Sequence, residues 1–122
     1  MTNYNFKRGE IYLADLEPSI GSEQSGTRPV LILQNNKGNW FCPTLIVSPI
    51  TSRIWKKADQ PTHFQIDNVK YLDSPSMVLL EQIMTIDKQR IIKYLGELNE
   101  TQMLQINHCI KISLGFIDDE VY

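Results

Sequence analysis

The composition of this 122-residue sequence excludes several classes of protein. Hydrophobic residues make up 42% and charged residues 21%, and no apolar run is long enough to cross a bilayer. These values exclude a membrane protein and a disordered chain. The length fits one domain over residues 1–122. The net charge of −2 argues against bulk attraction to nucleic acid, although net charges of +3 over residues 1–57 and −5 over residues 58–122 permit a local anion-binding face.

Three strands are predicted in the first half of the chain. Residues 10–16 are rich in β-forming side chains, residues 29–35 contain an apolar run bounded by turn residues, and residues 45–51 form the third strand. Residues 36–39 have the chemistry of a hairpin turn between the second and third strands. Because Pro49 has no backbone N–H, its strand is expected to lie at a sheet edge or to contain a bulge.

The second half begins with two further predicted strands and then changes character. The strands cover residues 62–66 and 77–86, and the second has a dense apolar centre. Asp87 is a good helix N-cap, which predicts a short helix running from there through Tyr94.

A longer helix is predicted near the C-terminus. Asn99 and Gln102 form a capping-box-like start, and Gly115 stands where a C-terminal cap is expected. Apolar residues that suit a core or an interface recur on it at helical spacing: Met103, Ile106, Ile110 and Leu114. Short strands followed by this helix predict an α+β fold, a small and mostly antiparallel barrel with helical cover.

The residues that commonly bind metals or act as nucleophiles are scattered. Cys42 and Cys109 have no ligand spacing, so we expect two small buried side chains and neither a zinc site nor a disulfide. His63 and His108 are isolated, which favours packing or solvent exposure over catalysis. Residues 118–120 are acidic and are expected to form a solvated tail. The first ten residues contain no apolar signal region, which predicts a cytoplasmic protein.

The polar segment at residues 20–29 is the most informative part of the sequence. Its two glycines allow close approach of the backbone, and it ends in Arg28 immediately before a buried strand. A guanidinium held at the start of a strand suits bidentate binding of a phosphate or carboxylate. The alternative is that Arg28 pairs with Glu23 across a surface turn. Neutral donors in the same segment are Ser22, Gln24 and Thr27.

A second polar segment follows the third predicted strand. Thr51 and neighbouring hydroxyls lie at the strand end, beside a basic cluster that begins at Arg53 and contains Trp55. An aromatic side chain among cations suits single-stranded nucleic acid, because the ring stacks on a base while the cations follow the phosphates. A solvated charged loop with one packed tryptophan explains the same residues equally well.

Several of these motifs, in this order and spacing, resemble the MazF/PemK-like toxins of bacterial toxin–antitoxin systems. The resemblance covers about residues 7–114. The segments that carry it are Gly21–Gln24 with Thr27–Val30, Pro43-Thr44 leading to Ile50-Thr51, Pro61–His63, and Leu80–Lys88.

The resemblance implies a fold, an activity and partners. The fold would be an SH3-like barrel that forms a homodimer, and the activity would be sequence-specific cleavage of single-stranded mRNA without a metal or other cofactor. The 2′-hydroxyl would attack, leaving a 2′,3′-cyclic phosphate and a 5′-hydroxyl. The protein partner would be a MazE-like antitoxin whose disordered acidic tail covers the RNA groove.

By motif position, the resemblance makes Arg28 and Thr51 the catalytic pair. We expect Arg28 to stabilise charge on the phosphoryl oxygens, since a guanidinium is a poor general base. Thr51 would donate to a phosphoryl oxygen or orient the 2′-hydroxyl. Glu23 is a candidate base or an acceptor for an RNA base edge. Substrate-binding residues would be Ser22, Glu23, Gln24, Thr27, Arg53 and Gln82.

Two departures from the family pattern and two alternative functions remain. Met84 stands where relatives often have arginine, and Ser48-Pro49 replaces a pair of small residues, so the recognised RNA sequence cannot be predicted.

One alternative function is that of a non-enzymatic toxin that poisons DNA gyrase and resembles CcdB; Arg28 and Thr51 argue against it. The other is a binding module that acts through its acidic second half and helical stripe.

Overall fold

The computed structural model describes residues 5–18, 20–21, 26–53, 60–67, 69, 72 and 75–118. These residues form an α+β fold of seven strands and two α-helices. The elements are β1 (Glu10–Asp15), β2 (Thr27–Ile32), α1 (Asn36–Phe41), β3 (Thr44–Thr51), β4 (His63–Ile66), β5 (Ser76–Leu79), β6 (Met84–Asp87), β7 (Ile91–Glu97) and α2 (Glu100–Ser113). Single turns of 3₁₀-helix at Leu80–Gln82 and Lys88–Arg90 precede β6 and β7.

All strand pairings in the sheet are antiparallel, as predicted. The order is β4-β5-β3-β2-β1-β7, and β6 pairs with β3 beside β5. The described strands form an open curved sheet, with β4 and β7 at its ends, and α2 packs against the turn at Leu80–Gln82 and against β4. The predicted α+β class, with mostly antiparallel strands and helical cover, is therefore confirmed, but the described strands do not close into the predicted barrel.

Apolar side chains from both faces of the sheet form two core clusters. On β2, Leu31 belongs to one cluster and Val30 and Ile32 to the other, because successive side chains of a strand point to opposite faces. The first cluster also contains Ile106 of α2, so the helix covers that face of the sheet. No helix in the described parts of the chain is long and apolar enough to cross a membrane.

The prediction that Pro49 marks an edge strand is wrong, because β3 is the central strand of the sheet. On one side it pairs with β2, where Val30 is opposite Pro49. On the other side, β6 pairs with β3 as far as Val47 and β5 begins to pair at Ile50. Pro49 therefore occupies the point where the partner strand changes, and a residue without an N–H interrupts the ladder least at such a gap.

Residues 36–39 belong to α1, and the hairpin-turn prediction for them is wrong. The Asn35 side chain accepts a hydrogen bond from the Gly38 N–H at 2.8 Å and so caps the helix. Asn39 is buried, and its amide donates to the Gln34 carbonyl oxygen at 2.9 Å. Asparagine is favoured both in turns and at helix N-caps, which is why the local sequence did not distinguish the two.

Two predicted boundaries in the second half are also wrong. The strand expected at residues 77–86 is divided into β5 and β6 by the turn at Leu80–Gln82. Asp87 does act as a cap, since its carboxylate accepts from the Gln89 N–H at 2.8 Å, but the helix that it starts ends at Arg90. The chain then continues as β7, whose pairing with β1 outweighs the local helix signal.

The predicted C-terminal helix is confirmed, with its capping box. The Asn99 side chain accepts from the Gln102 N–H at 2.8 Å, and the Gln102 side chain accepts from the Asn99 N–H at 2.8 Å. Gly115 has φ +81°, a conformation that favours glycine at a helix C-terminus. Of the predicted apolar stripe, Met103, Ile106 and Ile110 contact the core, whereas Leu114 is exposed.

Asn99→Ala is expected to lower the free energy of unfolding by about 1 kcal/mol, because it removes the side chain that caps the start of α2. Urea denaturation followed by circular dichroism measures the change. Gln105→Ala, an exposed change within the same helix, is the control and should have an effect below about 0.5 kcal/mol. Equal effects of the two substitutions would contradict a capping role.

Candidate functional site

A cleft of about 350 Å³ lies where the ends of several strands meet. Its lining comes from β1, β2, β5, β7, the end of β3 and the segment before β5. The described lining residues are Leu13, Thr27, Arg28, Pro29, Ile50, Ser52, Leu72, Ser76, Lys93 and Leu95. Arg28, the leading candidate from the sequence, is thus part of a built cavity.

Strand pairing explains why these residues meet. Leu13 of β1 is opposite Pro29 of β2 on one side and opposite Lys93 of β7 on the other. Arg28 is next to Pro29 and is opposite Ala14. Lys93 therefore shares a sheet face with Leu13 and Pro29, and Arg28 lines the same cleft from the next position of β2. Further apolar lining residues belong to the first core cluster or pack against it, which gives the cleft a rigid floor: Ile50, Leu72 and Leu95.

The described lining of the cleft carries positive charge, although the chain as a whole is acidic. Arg28, half-buried, and Lys93, exposed, are the charged side chains among its described lining residues, and no carboxylate is among them. The whole chain has a net charge of −2. Clefts that collect one sign of charge between low-dielectric walls concentrate the field and attract the opposite charge. The arrangement therefore suits an anionic ligand with an apolar part.

Thr51, the second predicted catalytic residue, ends β3 beside this cleft. Ile50 and Ser52 line the cleft, but Thr51 is not among the lining residues and is only 2% exposed. Its hydroxyl oxygen accepts a hydrogen bond from the Arg53 N–H at 3.2 Å. The structure thus brings Arg28 into the same cleft as Ile50 and Ser52, the two neighbours of the buried Thr51.

The other predicted substrate-binding residues are divided among three locations. Thr27 lines the cleft with Arg28. Arg53 is exposed after β3, and Gln82 is half-buried in the turn before β6; neither is among the described lining residues. The remaining predicted positions, and the tryptophan proposed to stack on bases, lie outside the described residues: Ser22, Glu23, Gln24 and Trp55.

Lys93 is the main site residue that the sequence reasoning missed. The segment around it was predicted as helix, and in a helix Lys93 and Leu95 do not share a face. In a strand, residues two apart lie on the same side, and both residues line the cleft. The sequence signal that could have revealed Lys93 is the β-branched pair Ile91-Ile92 directly before it, which favours a strand.

A second, larger groove of about 510 Å³ contains none of the predicted site residues. It is lined by Arg8, Asn107, Ile110, Lys111, Phe116 and Ile117. The Arg8 guanidinium donates from Nε to the Leu33 carbonyl oxygen at 2.8 Å and from a terminal nitrogen to Asn107 Oδ1 at 2.7 Å. Burial lowers the pKa of Arg8. These bonds connect the start of β1 to α2, which is a structural role.

The cysteines and histidines are not arranged for catalysis. Cys109 is buried, and burial raises the pKa of its thiol, which disfavours the nucleophilic thiolate. Cys42 is exposed, so the prediction that both cysteines are buried is wrong for it. His63 Nε2 lies 2.8 Å from Glu81 Oε2, which ties β4 to the following 3₁₀ turn. Within the described ranges, no group of three or more His, Cys, Asp or Glu residues could hold a metal ion.

Comparisons with known proteins agree on one family. The family described as "PemK-like, MazF-like toxin of type II toxin-antitoxin system" matches residues 7–114. Endoribonuclease MazF of Staphylococcus saprophyticus is 53% identical over 110 residues, which cover 89% of this chain and 91% of the relative. Endoribonuclease EndoA of Bacillus subtilis is 50% identical over 113 residues, or 92% and 97% of the two chains.

Solved structures with the same fold include members of this family. An endoribonuclease from Mycobacterial species, in complex with its cognate antitoxin, superposes with a TM-score of 0.74 at 26% identity and covers 93% of this chain and 98% of that one. MazF from Deinococcus radiodurans superposes with a TM-score of 0.78 at 23% identity, with coverage of 93% and 99%.

Proposed function

Because the chain belongs to the PemK-like, MazF-like toxins of type II toxin–antitoxin systems, we propose that it is a sequence-specific endoribonuclease that cuts single-stranded mRNA and so arrests growth. Curated relatives with half of their residues identical are named as endoribonucleases. We further propose that residues 1–122 act as one toxin domain, in the cytoplasm where mRNA is available. No metal or other cofactor takes part in the proposed reaction.

The observation that carries this proposal is the positive cleft beside the end of β3. Arg28 and Lys93 are its charged lining residues, and its floor is apolar. A strand of RNA offers phosphates to the cations and the faces of its bases to the apolar floor, which is how single strands are commonly bound. The cleft therefore fits a nucleic acid strand better than it fits a neutral ligand.

Cleavage at this site requires stabilisation of charge on the phosphate and two proton transfers. Arg28 is permanently charged and planar, so it can hold the scissile phosphate through two N–H groups while extra negative charge develops. Thr51 would orient the 2′-hydroxyl that attacks the phosphorus. That attack breaks the bond from phosphorus to the 5′-oxygen, which takes a proton from water and leaves as a 5′-hydroxyl, and a 2′,3′-cyclic phosphate remains. Glu23, for which the structure gives no description, is the candidate to accept the proton from the 2′-hydroxyl.

The proposed partners follow from the same charge pattern. A MazE-like antitoxin with an acidic and apolar tail would compete with RNA, because its carboxylates would take the place of phosphates at Arg28 and its apolar side chains would cover the floor. The solved structure of a similar endoribonuclease from Mycobacterial species contains its cognate antitoxin. We propose that the active form of this chain is a homodimer, as the family resemblance implies.

The purified chain is expected to cut a long single-stranded RNA at one short sequence in the presence of excess EDTA. Each cut should give a 2′,3′-cyclic phosphate and a 5′-hydroxyl, because attack by the neighbouring 2′-oxygen closes the cyclic ester and expels the 5′-oxygen. Sequencing the ends after enzymatic removal of the cyclic phosphate measures both properties. RNA in which the target ribose is replaced by 2′-deoxyribose serves as the control and should remain intact.

Three outcomes would contradict the proposal. Cleavage that stops in EDTA, or that leaves a 5′-phosphate, would require a different mechanism. Intact RNA together with inhibition of DNA gyrase by the purified chain would favour the CcdB-like alternative, in which a protein contact replaces phosphoryl transfer. The endoribonuclease names of the relatives do not favour that alternative.

A further inference from the structure

We propose that Lys93 binds a backbone phosphate of the RNA next to the scissile one, as the second cation of the cleft; this inference rests on the proposed function. Lys93 is exposed, lines the cleft with Arg28, and belongs to none of the motifs that carry the family resemblance. Its role would be to bind and align the strand, with no part in the proton transfers.

The register of the sheet places Lys93 at a fixed position relative to Arg28. Lys93 is opposite Leu13, Leu13 is opposite Pro29, and Arg28 precedes Pro29. Two strand spacings, roughly 10 Å, therefore separate the backbones of the two cations. Both side chains line the same cleft. One RNA strand lying in this cleft can thus meet Arg28 at one phosphate and Lys93 at another.

Irregular pairing between β1 and β7 surrounds Lys93. The register shifts between Leu13 and Ala14, which leaves Ile92 as an extra residue of β7, and shifts again between Ile11 and Tyr12. Bulges of this kind change the direction of a side chain and are common next to active sites. The two shifts lie on either side of the Leu13–Lys93 pair, so this pair keeps a regular position while its surroundings do not.

The electrostatic setting also favours a phosphate ligand for Lys93. No carboxylate is among the described lining residues of the cleft, and the structure gives Lys93 no ion pair within the described parts of the chain. A lysine ammonium is a compact point charge that needs no fixed hydrogen-bond geometry. It can therefore hold the flexible backbone of a single strand, whereas sequence recognition must come from other groups.

Binding and cleavage of a short RNA that contains the target sequence test the proposal. For Lys93→Ala, the KM is expected to rise roughly five- to tenfold with kcat changed less than about twofold, because the contact acts in binding. The slope of log Kd against log salt concentration should become shallower by about 0.7, the value for one lost phosphate contact on a single strand. Lys93→Arg should restore both values, and the cleavage sequence should not change.

Lys37→Ala is the matched control, since it removes one exposed positive charge from α1, outside the cleft. It should leave KM and the salt slope within about 1.5-fold of the original chain.

The Kd is measured with RNA that has a 2′-deoxyribose at the cleavage site, so binding is tested without turnover. A Lys93→Ala variant with the salt slope of the original chain, or equal to Lys37→Ala, would overturn the inference. Failure of the original chain to cut RNA would instead contradict the proposed function, while the binding measurement would still decide the role of Lys93.

Discussion

Replacing Arg28 with alanine is expected to lower the rate of RNA cleavage by about 10²-fold or more. The side chain lines the cleft from β2, the strand that pairs with β3. A donor that stabilises developing charge on phosphoryl oxygens acts mainly in the transition state, so kcat should fall much more than KM rises. Single-turnover cleavage of a short RNA measures the effect directly.

Two further measurements separate a catalytic role of Arg28 from a structural one. The free energy of unfolding of Arg28→Ala should change by less than about 1 kcal/mol, because Arg28 is only half-buried and its backbone pairing with Ala14 does not depend on the side chain. Arg28→Lys should recover binding but only part of kcat, since an ammonium cannot make the two parallel bonds of a guanidinium. Parallel losses of stability and activity would make Arg28 a structural residue.

Much of the fold could be predicted because its strands and its last helix have strong local signals. The capping box at Asn99 and Gln102 was found because a side chain and a backbone group three residues apart satisfy each other without help from the rest of the fold. The apolar strand around Leu31 was found for a similar reason, since only a strand covered on both faces has so continuous an apolar run.

The failures occurred where tertiary pairing decides between two local preferences. Asn35 and Asp87 both cap short helical turns, yet the sequence could not show that one turn becomes α1 and that the other is followed by β7. Whether residues 91–97 form a helix or a strand depends on their pairing with β1, which is distant in the sequence. A single-sequence pattern contains no information about that distant strand, so the segment was assigned to the wrong class.

The same limit explains which part of the site was predicted. Arg28 could be identified because it stands between a polar loop and a buried strand in the net-positive first half. Lys93 comes from the net-negative second half, where charge counting gave no reason to look for a phosphate contact. Folding interleaves the two halves and brings both cations into one cleft, so the charge of the cleft follows from strand order and not from the charge of either segment.

Substitutions at Thr51 and Ser52 are expected to have very different effects on cleavage. Thr51→Val keeps the branched shape and removes the hydroxyl, and it should lower kcat by about 10²-fold if that hydroxyl orients the 2′-oxygen or donates to the phosphate. Ser52→Ala should change kcat by less than about threefold, although Ser52 lines the cleft and Thr51 is buried beside it. Single-turnover rates of the two variants on the same RNA measure the difference.

Stability measurements keep this comparison interpretable. Thr51→Val also removes the acceptor of the 3.2 Å bond from the Arg53 N–H, so its free energy of unfolding should fall by about 1 kcal/mol. This loss of unfolding free energy is small enough to leave the Thr51→Val variant folded. Thr51→Ser, which retains the hydroxyl, should restore most of the activity. For the buried Thr51 hydroxyl to act on RNA, its side chain must turn from Arg53 towards the cleft when substrate binds. A large loss in Ser52→Ala with little loss in Thr51→Val would instead assign the reaction to the hydroxyl that already lies at the cleft wall.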